Sequence, residues 1–395
     1  MINNCSKKII GNNTHIACWG YYGERNIGDD LILQNLLKFL QQRIPDANVR
    51  VHSNSDDVKR LSPNGLHITV VNRSILESVV SCITADLIIC GPGGLFPHHN
   101  TKKLIFWNIL LLLTKLFGKR MAFIGIGIGL GNFNSTFDRF LLRNLVIHSD
   151  RFVTRQKGIP EYIHLRDKDL HRCVEASDVL FSVYQIKKFK QSQARDKKIV
   201  LSLADVFSDK REDKHIFLAG ISQSLNKLIE LGYTLTLLTF TDEKDAILNQ
   251  ELIKYIDASE KVCVFPFPEN PQDILTEFAG AEICISMRFH ALVIASCLNI
   301  PCCVIAYSEK LDDVANRLNL SKFLVRICSD KKTYYHKRIP FDAKYFERIL
   351  FELLSKRTDI QNSMSEDLDI IIRESEINWY LLDRLLSQMK GYIAP

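Results

Sequence analysis

Glu282-Ile283-Cys284-Ile285-Ser286-Met287-Arg288-Phe289-His290-Ala291-Leu292 sets an arginine and a histidine in a segment that is otherwise nearly all apolar. The residues up to Ile285 read as a short buried strand, and Ala291 to Leu298 as a buried helix. Ile300 to Tyr307 reads as the next strand. Arg288 and His290 therefore fall at the carboxyl end of a strand and in the first turn of a helix. Open α/β sheets place ligands at that edge, and N–H groups at a helix start favour anions. A buried charge is costly unless paired, so Arg288 needs an acidic partner, from the protein or from a ligand. A structural ion pair and an anion site both fit the residues; the position favours the anion site.

Upstream, strand-like and helix-like runs alternate from His15 onward. Ile16–Trp19, Val49–His52, Ile68–Val71, Ala85–Cys90, Met121–Gly129 and Arg151–Arg155 read as strands, with helices between them. Such βαβ alternation predicts a mostly parallel sheet covered by helices. Gln185–Lys198 is polar, basic and without period, and reads as a linker. A second series follows, with strands at Ile199–Leu203, Thr234–Leu238 and Val262–Phe265 before the two that flank Arg288. Apolar residues at helical spacing from Leu368 to Leu385 predict a long amphipathic helix over 365–395 that packs back on the first domain. The expected organisation is an N-terminal Rossmann-like domain over 1–184, the linker, a C-terminal Rossmann-like domain over 199–364 and the terminal helix. Two such domains predict a cleft between them.

The chain has 395 residues, too many for one typical core, with 46% hydrophobic and 24% charged residues. The net charge of +6 is scattered, so nothing calls for nucleic acid. A mild basic excess suits an anionic substrate or peripheral contact with the inner membrane surface. None of the eleven cysteines is spaced as C-x-x-C, and most lie in apolar segments, as reduced thiols of a cytoplasmic protein do. Met1–Lys8 lacks the apolar core of a secretory signal. Leu104–Phe117 is too short and too polar to span a membrane and reads as a buried crossover helix.

Three glycine loops carry further signals. Gly20-Tyr21-Tyr22-Gly23 runs into Asn26-Ile27-Gly28-Asp29-Asp30, where one aspartate would cap the next helix and the cluster suggests an added polar role. Gly91-Pro92-Gly93-Gly94-Leu95-Phe96 follows a buried strand, and its N–H groups suit a phosphate or carboxylate. His98 and His99 lack acidic or cysteine partners, so no metal is expected. Gly125-Ile126-Gly127-Ile128-Gly129 lacks the spacing of a dinucleotide fingerprint. Arg155 ends a strand as Arg288 nearly does, as a second cation for the cleft or a surface residue. Asp178 either pairs with an arginine or turns the chain. Tyr307 and Lys310 follow the strand after the Arg288 helix.

Taken in order, these pieces resemble the polysaccharide pyruvyl transferases. The three glycine loops match the family's, and Ser286-Met287-Arg288-Phe289-His290-Ala291-Leu292 with Pro301, Tyr307 and Lys310 is similar to its most characteristic block. The resemblance spans about Gly20 to Leu320. It departs at Pro97-His98, Arg155-Gln156 and Asp178-Val179, where the family usually has Gln-Asp, Arg-Asp and Asp-Pro.

The resemblance implies an α/β fold of two Rossmann-like domains facing a cleft, similar to the GT-B glycosyltransferases. It implies transfer of pyruvate as a ketal from phosphoenolpyruvate to a sugar diol, with phosphate released. Acceptors would be polysaccharides, oligosaccharides or lipid-linked glycans of the exopolysaccharide or capsule kind. Arg288 and His290 would bind the donor, with His290 also an acid, and Asp29 or Asp30 would be the base or acceptor contact. Asn26, Gly28, Gly93, Gly94 and Gly127 from the loops, with Arg155, Ser286, Tyr307 and Lys310, complete the expected binding set. No cofactor beyond the donor is implied. A nucleotide-sugar glycosyltransferase and a non-catalytic glycan- or anion-binding relative are the alternatives, since fold does not settle function.

Overall fold

The computed structural model describes residues 14–91, 93–96, 101–128, 135–183, 186, 197–207, 210–328 and 338–389. Two compact units make up the chain. The first comprises Met1–Glu24, Asp29–Val179 and Arg373–Pro395; the second comprises Arg25–Gly28 and Leu180–Ile372.

Eight parallel strands form the sheet of the first unit: β1 (His15–Trp19), β2 (Asn48–His52), β3 (His67–Val71), β4 (Leu87–Cys90), β5 (Gly93–Phe96), β6 (Arg120–Ile128), β7 (Arg151–Thr154) and β8 (Cys173–Glu175). Their spatial order is β3-β2-β1-β4-β6-β7-β8, with β5 paired to β6. Alternate residues of β1 enter opposite cores, as the pleat requires. Ile16 and Cys18 join Leu33 and Leu36 of α1 (Ile27–Arg43), together with Leu382 and Leu386 of the last helix, Arg357–Ser387. Ala17 and Trp19 join residues of α2 (Ile75–Thr84), α3 (Thr101–Leu116) and α4 (Thr136–His148) on the other face. The succession of strands reverses between β1 and β4, where Trp19 pairs with Cys90. Loops leaving the carboxyl ends of these strands flank a topological switch point, the usual place for a ligand.

The second unit repeats the scheme with six parallel strands: β9 (Lys198–Ser202), β10 (Thr234–Leu238), β11 (Val262–Phe265), β12 (Ala281–Ser286), β13 (Cys302–Ala306) and β14 (Leu324–Arg326). The order β11-β10-β9-β12-β13-β14 reverses between β9 and β12. All six residues of β12 and all five of β13 are buried, as expected of strands covered on both faces. The segment after Ser286 therefore leaves the sheet at its switch point.

Several elements differ from the sequence reading. The crossover helix α3 buries only one side, because the sheet covers one side only; Ile109 is 51% exposed and Leu116 72%. Gly93–Phe96, read as loop, pairs with β6, and Gly91 and Gly93 reach φ of +107° and +125° there. The glycines of Gly125–Ile128 lie within β6, as the strand reading of Met121–Gly129 expects, and Gly129 lies outside the described residues. The last helix begins at Arg357, well before the apolar spacing that predicted it. Lys198 opens β9, and most of the expected linker, like Pro97, His98 and His99, lies outside the described residues. The described cysteines are free, and all but Cys263 are buried. Among the described residues no helix is long and apolar enough to cross a membrane.

Candidate active site

In the second unit the site grows from the turn after β10. Asp245, in the first part of the helix Asp242–Ile253, folds its carboxylate back over that turn and is fully buried. Its Oδ2 accepts from the N–H of Phe240 at 3.1 Å and of Thr241 at 2.9 Å. The same carboxylate accepts from Arg288 twice, from Nε at 3.2 Å and in a close contact from Nη2. Arg288 thus has its acidic partner within the protein, in a two-point pair that fixes the plane of the guanidinium. Burial pushes the Asp245 carboxyl above its ordinary pKa, and Arg288 and the two backbone N–H groups hold that rise back. The arginine side chain keeps 21% of its surface exposed. It also hydrogen-bonds the Tyr307 hydroxyl, whose pKa burial raises.

The Phe240–Thr241 turn is tied from another side. Ile27 N–H donates to the Phe240 carbonyl at 3.1 Å, and Asn26 bridges to Thr241. Asn26 also caps α1: its Oδ1 accepts from Gly28 N–H at 3.1 Å. The cap is therefore Asn26, and Asp29 and Asp30 stand inside the first helical turn, contrary to the sequence reading. Gly28 lies against the His290 imidazole so closely that a Cβ there would overlap the ring. Phe289 packs edge-on to the same ring at 5.3 Å. Hence Asn26, Gly28, Arg288, His290 and Tyr307 do come together, around Asp245.

Arg288 itself is the N-cap residue of the helix Phe289–Cys297, and its side chain turns to Asp245 rather than capping the helix. Ser286, fully buried at the end of β12, donates from Oγ to the Arg288 carbonyl at 2.9 Å. Its role is to shape the strand-to-helix turn rather than to face a ligand. Lys310 is exposed, with Nζ 5.5 Å from the centre of the Phe289 ring.

The remaining predicted residues belong to the first unit. Asp29 is buried, and its Oδ1 lies 3.4 Å from where a Cβ on Gly93 would stand. The first two glycine loops therefore meet at the switch point, with Gly94 following in β5. Asp30, also buried, forms an ion pair with Arg60 at 2.5 Å, a structural contact the sequence reading did not foresee. Arg155 pairs closely with Asp178, which is buried, and lies over Gly127, where a Cβ would stand 2.7 Å from Nη2. Of the two readings for Asp178, the ion pair is realised.

Two residues escaped the sequence reading. Asp245 sits in Thr241-Asp242-Glu243-Lys244-Asp245, where any acid looks like helix-start decoration. Arg73 donates to the carbonyls of Gly20 and Tyr22, each at 2.9 Å, and to Glu24 at 2.6 Å, tying down the first glycine loop. Among the described residues no group of three His, Cys, Asp or Glu side chains is placed to hold a metal ion.

The family model of the polysaccharide pyruvyl transferases matches residues 26–309. The chain belongs to that family. It is a transferase on this ground, and the matched span encloses every candidate residue except Lys310. No curated protein matches the sequence. Among solved structures, UDP-GlcNAc 2-epimerase from Neisseria meningitidis, bound to UDP-GlcNAc, aligns over 94% of this chain and 100% of its own, at 10% identity and a TM-score of 0.59. Anabaena Alr3699/HepE, in complex with UDP and glucose, aligns over 95% and 100% at 11% identity and 0.56. The S. aureus MnaA–UDP structure aligns over 97% and 100% at 13% and 0.56. Such likeness concerns the fold alone, and the fold of this family member is GT-B-like.

Proposed function

We propose that this family member transfers a carboxyethylidene group from phosphoenolpyruvate to two hydroxyls of a sugar, releasing phosphate. The observation that carries the reading is the family match enclosing Arg288 and His290 at a helix start on a switch point. The donor bears a phosphate and a carboxylate, and helix N–H groups with a fixed guanidinium suit both. Because Asp245 neutralises much of the Arg288 charge, the arginine acts here through direction more than through net charge. Lys310, with Nζ over the Phe289 ring, adds a further cation beside this helix start.

In the reaction C3 of the enol gains a proton and C2 becomes electrophilic. One hydroxyl adds to C2, the C2–O bond to phosphate breaks, and the second hydroxyl closes the ketal. Of the two hydroxyl protons, one balances the methyl group formed and the other leaves with phosphate. His290, with its ring position fixed by Gly28, is the acid we assign to the donor. Asp29 is the aspartate we assign to the acceptor hydroxyl, since its Oδ1 lies against Gly93 of the second glycine loop.

The acceptor class we infer is a polysaccharide precursor, free or lipid-linked, made in the cytoplasm. Phosphate release from phosphoenolpyruvate across a panel of such glycans, with mass spectrometry of the product, tests the reading. A ketal product that disappears in Arg288→Ala supports it. UDP release from a nucleotide sugar instead would favour the second reading, prompted by the nucleotides in the solved structures of this fold.

A further inference from the structure

We propose that the outer face of α2, α3 and α4 docks the first unit onto an anionic lipid surface. Ten of the seventeen exposed large hydrophobic side chains among the described residues fall between Ile75 and Phe140. On α3 they are Ile105, Ile109, Leu112 and Leu116, spaced four, three and four apart, which is one stripe along the helix. α3 lies beside both α2 and α4. Leu76 and Val80 extend the stripe on the first of these, and Phe137 and Phe140 on the second. Phe117 continues it beyond the end of α3. Exposed apolar side chains gathered on neighbouring helices in this way mark an interaction site rather than scattered surface.

The charge around the patch selects the partner. α3 contains Lys102, Lys103 and Lys115 and no acidic residue. α4 contributes Arg139 and Arg143, and its one acid, Asp138, is buried. Lys115 reaches Asp150 beyond α4, and α2 adds one exposed acid, Glu77, so the basic excess comes from α3 and α4 together. Apolar side chains flanked by basic ones form the pattern of a helix lying in a membrane interface. A second copy of the chain fits less well. A two-fold contact on this face would set its lysines and arginines against their own copies. A lipid surface would suit an enzyme whose acceptor is lipid-linked, but the docking itself does not depend on the donor assignment.

Co-sedimentation of the full chain with vesicles tests the proposal. Vesicles of phosphatidylglycerol and phosphatidylethanolamine are compared with phosphatidylcholine vesicles, at low and high salt. Two double variants, Ile109→Glu with Leu112→Glu and Lys102→Glu with Lys103→Glu, separate the apolar from the ionic contribution. Far-ultraviolet circular dichroism checks that each is folded. We expect wild type to bind the anionic vesicles, each double variant to lose roughly tenfold in binding, and salt to weaken wild type. Unchanged binding in both variants would overturn the proposal. So would a wild type that ignores vesicles but forms a dimer that the glutamate variants lose, by sedimentation velocity. Because the readout uses no phosphoenolpyruvate, its failure is distinct from failure of the ketal-transfer reading.

Discussion

Asp245→Asn is the substitution that most directly probes the built site. The carboxylate accepts four hydrogen bonds, two from Arg288 and two from the Phe240–Thr241 turn. Asparagine keeps the shape but has one acceptor atom. If its oxygen stays on the turn, its amide nitrogen faces Arg288 Nη2, donor against donor. The lost charged hydrogen bond is worth about 1.5–3 kcal/mol, and Arg288 is left without its compensating charge. Breaking a fully buried pair costs about 3–5 kcal/mol, and the partial exposure of Arg288 moderates this. A stability loss of about 2–3 kcal/mol is therefore expected, read by urea unfolding. Turnover should fall further than stability implies, because a guanidinium displaced by about 1 Å costs on the order of a hundredfold in rate. A double-mutant cycle with Arg288→Ala should show coupling of at least about 1 kcal/mol. Wild-type stability and turnover in Asp245→Asn, or strict additivity in the cycle, would refute the positioning argument.

Further outcomes follow from the same geometry. In Gly28→Ala the helix gains about 1 kcal/mol of propensity, but the new methyl overlaps the His290 ring and overpacking of this kind costs about 1–3 kcal/mol. We expect a slightly destabilised protein with donor turnover down at least about tenfold; a stable, fully active variant would show that His290 is not held there. Gly127→Ala would press on the Arg155 guanidinium that Asp178 holds, so a stability loss of about 1–3 kcal/mol is expected, and wild-type thermal melts would contradict this. His52 is buried, stacked on Trp19 at 3.9 Å, and its pKa is lowered to about 3 by burial and by Arg73 and Arg50. The unfolded chain therefore binds a proton that the folded chain refuses between about pH 6.5 and 3. Stability is full above that window and falls by up to about 1.4 kcal/mol per pH unit as pH drops through it. His52→Asn should show a shallower acid limb in melts from pH 7 to 4.5, and an unchanged limb would refute the assignment.

The residues whose surroundings are apolar were legible from sequence. Arg288 and His290 stand out against buried strands and a buried helix, so their place at the sheet edge follows from pattern alone. Asp245 was not legible, because its partner lies 43 residues away and its local run looks like any helix start. The cap at α1 was misread for a related reason: Asn26, Asp29 and Asp30 all have capping chemistry, and only the tie of Ile27 to Phe240 fixes where the helix begins. β8 and β14, three residues each, are too short to show a period. Hydropathy also could not tell α3 covered on both sides from α3 covered on one, since Leu104 and Leu112 count alike while only the first is buried.

The central claim is tested most directly by phosphate release from phosphoenolpyruvate, followed with wild type and Arg288→Ala against a panel of glycan acceptors. The account predicts acceptor-dependent phosphate release by wild type, a product carrying the carboxyethylidene group, and loss of both in the folded variant. Near-normal turnover by Arg288→Ala, or acceptor-dependent release of a nucleoside diphosphate from a nucleotide sugar with none of phosphate, would contradict it.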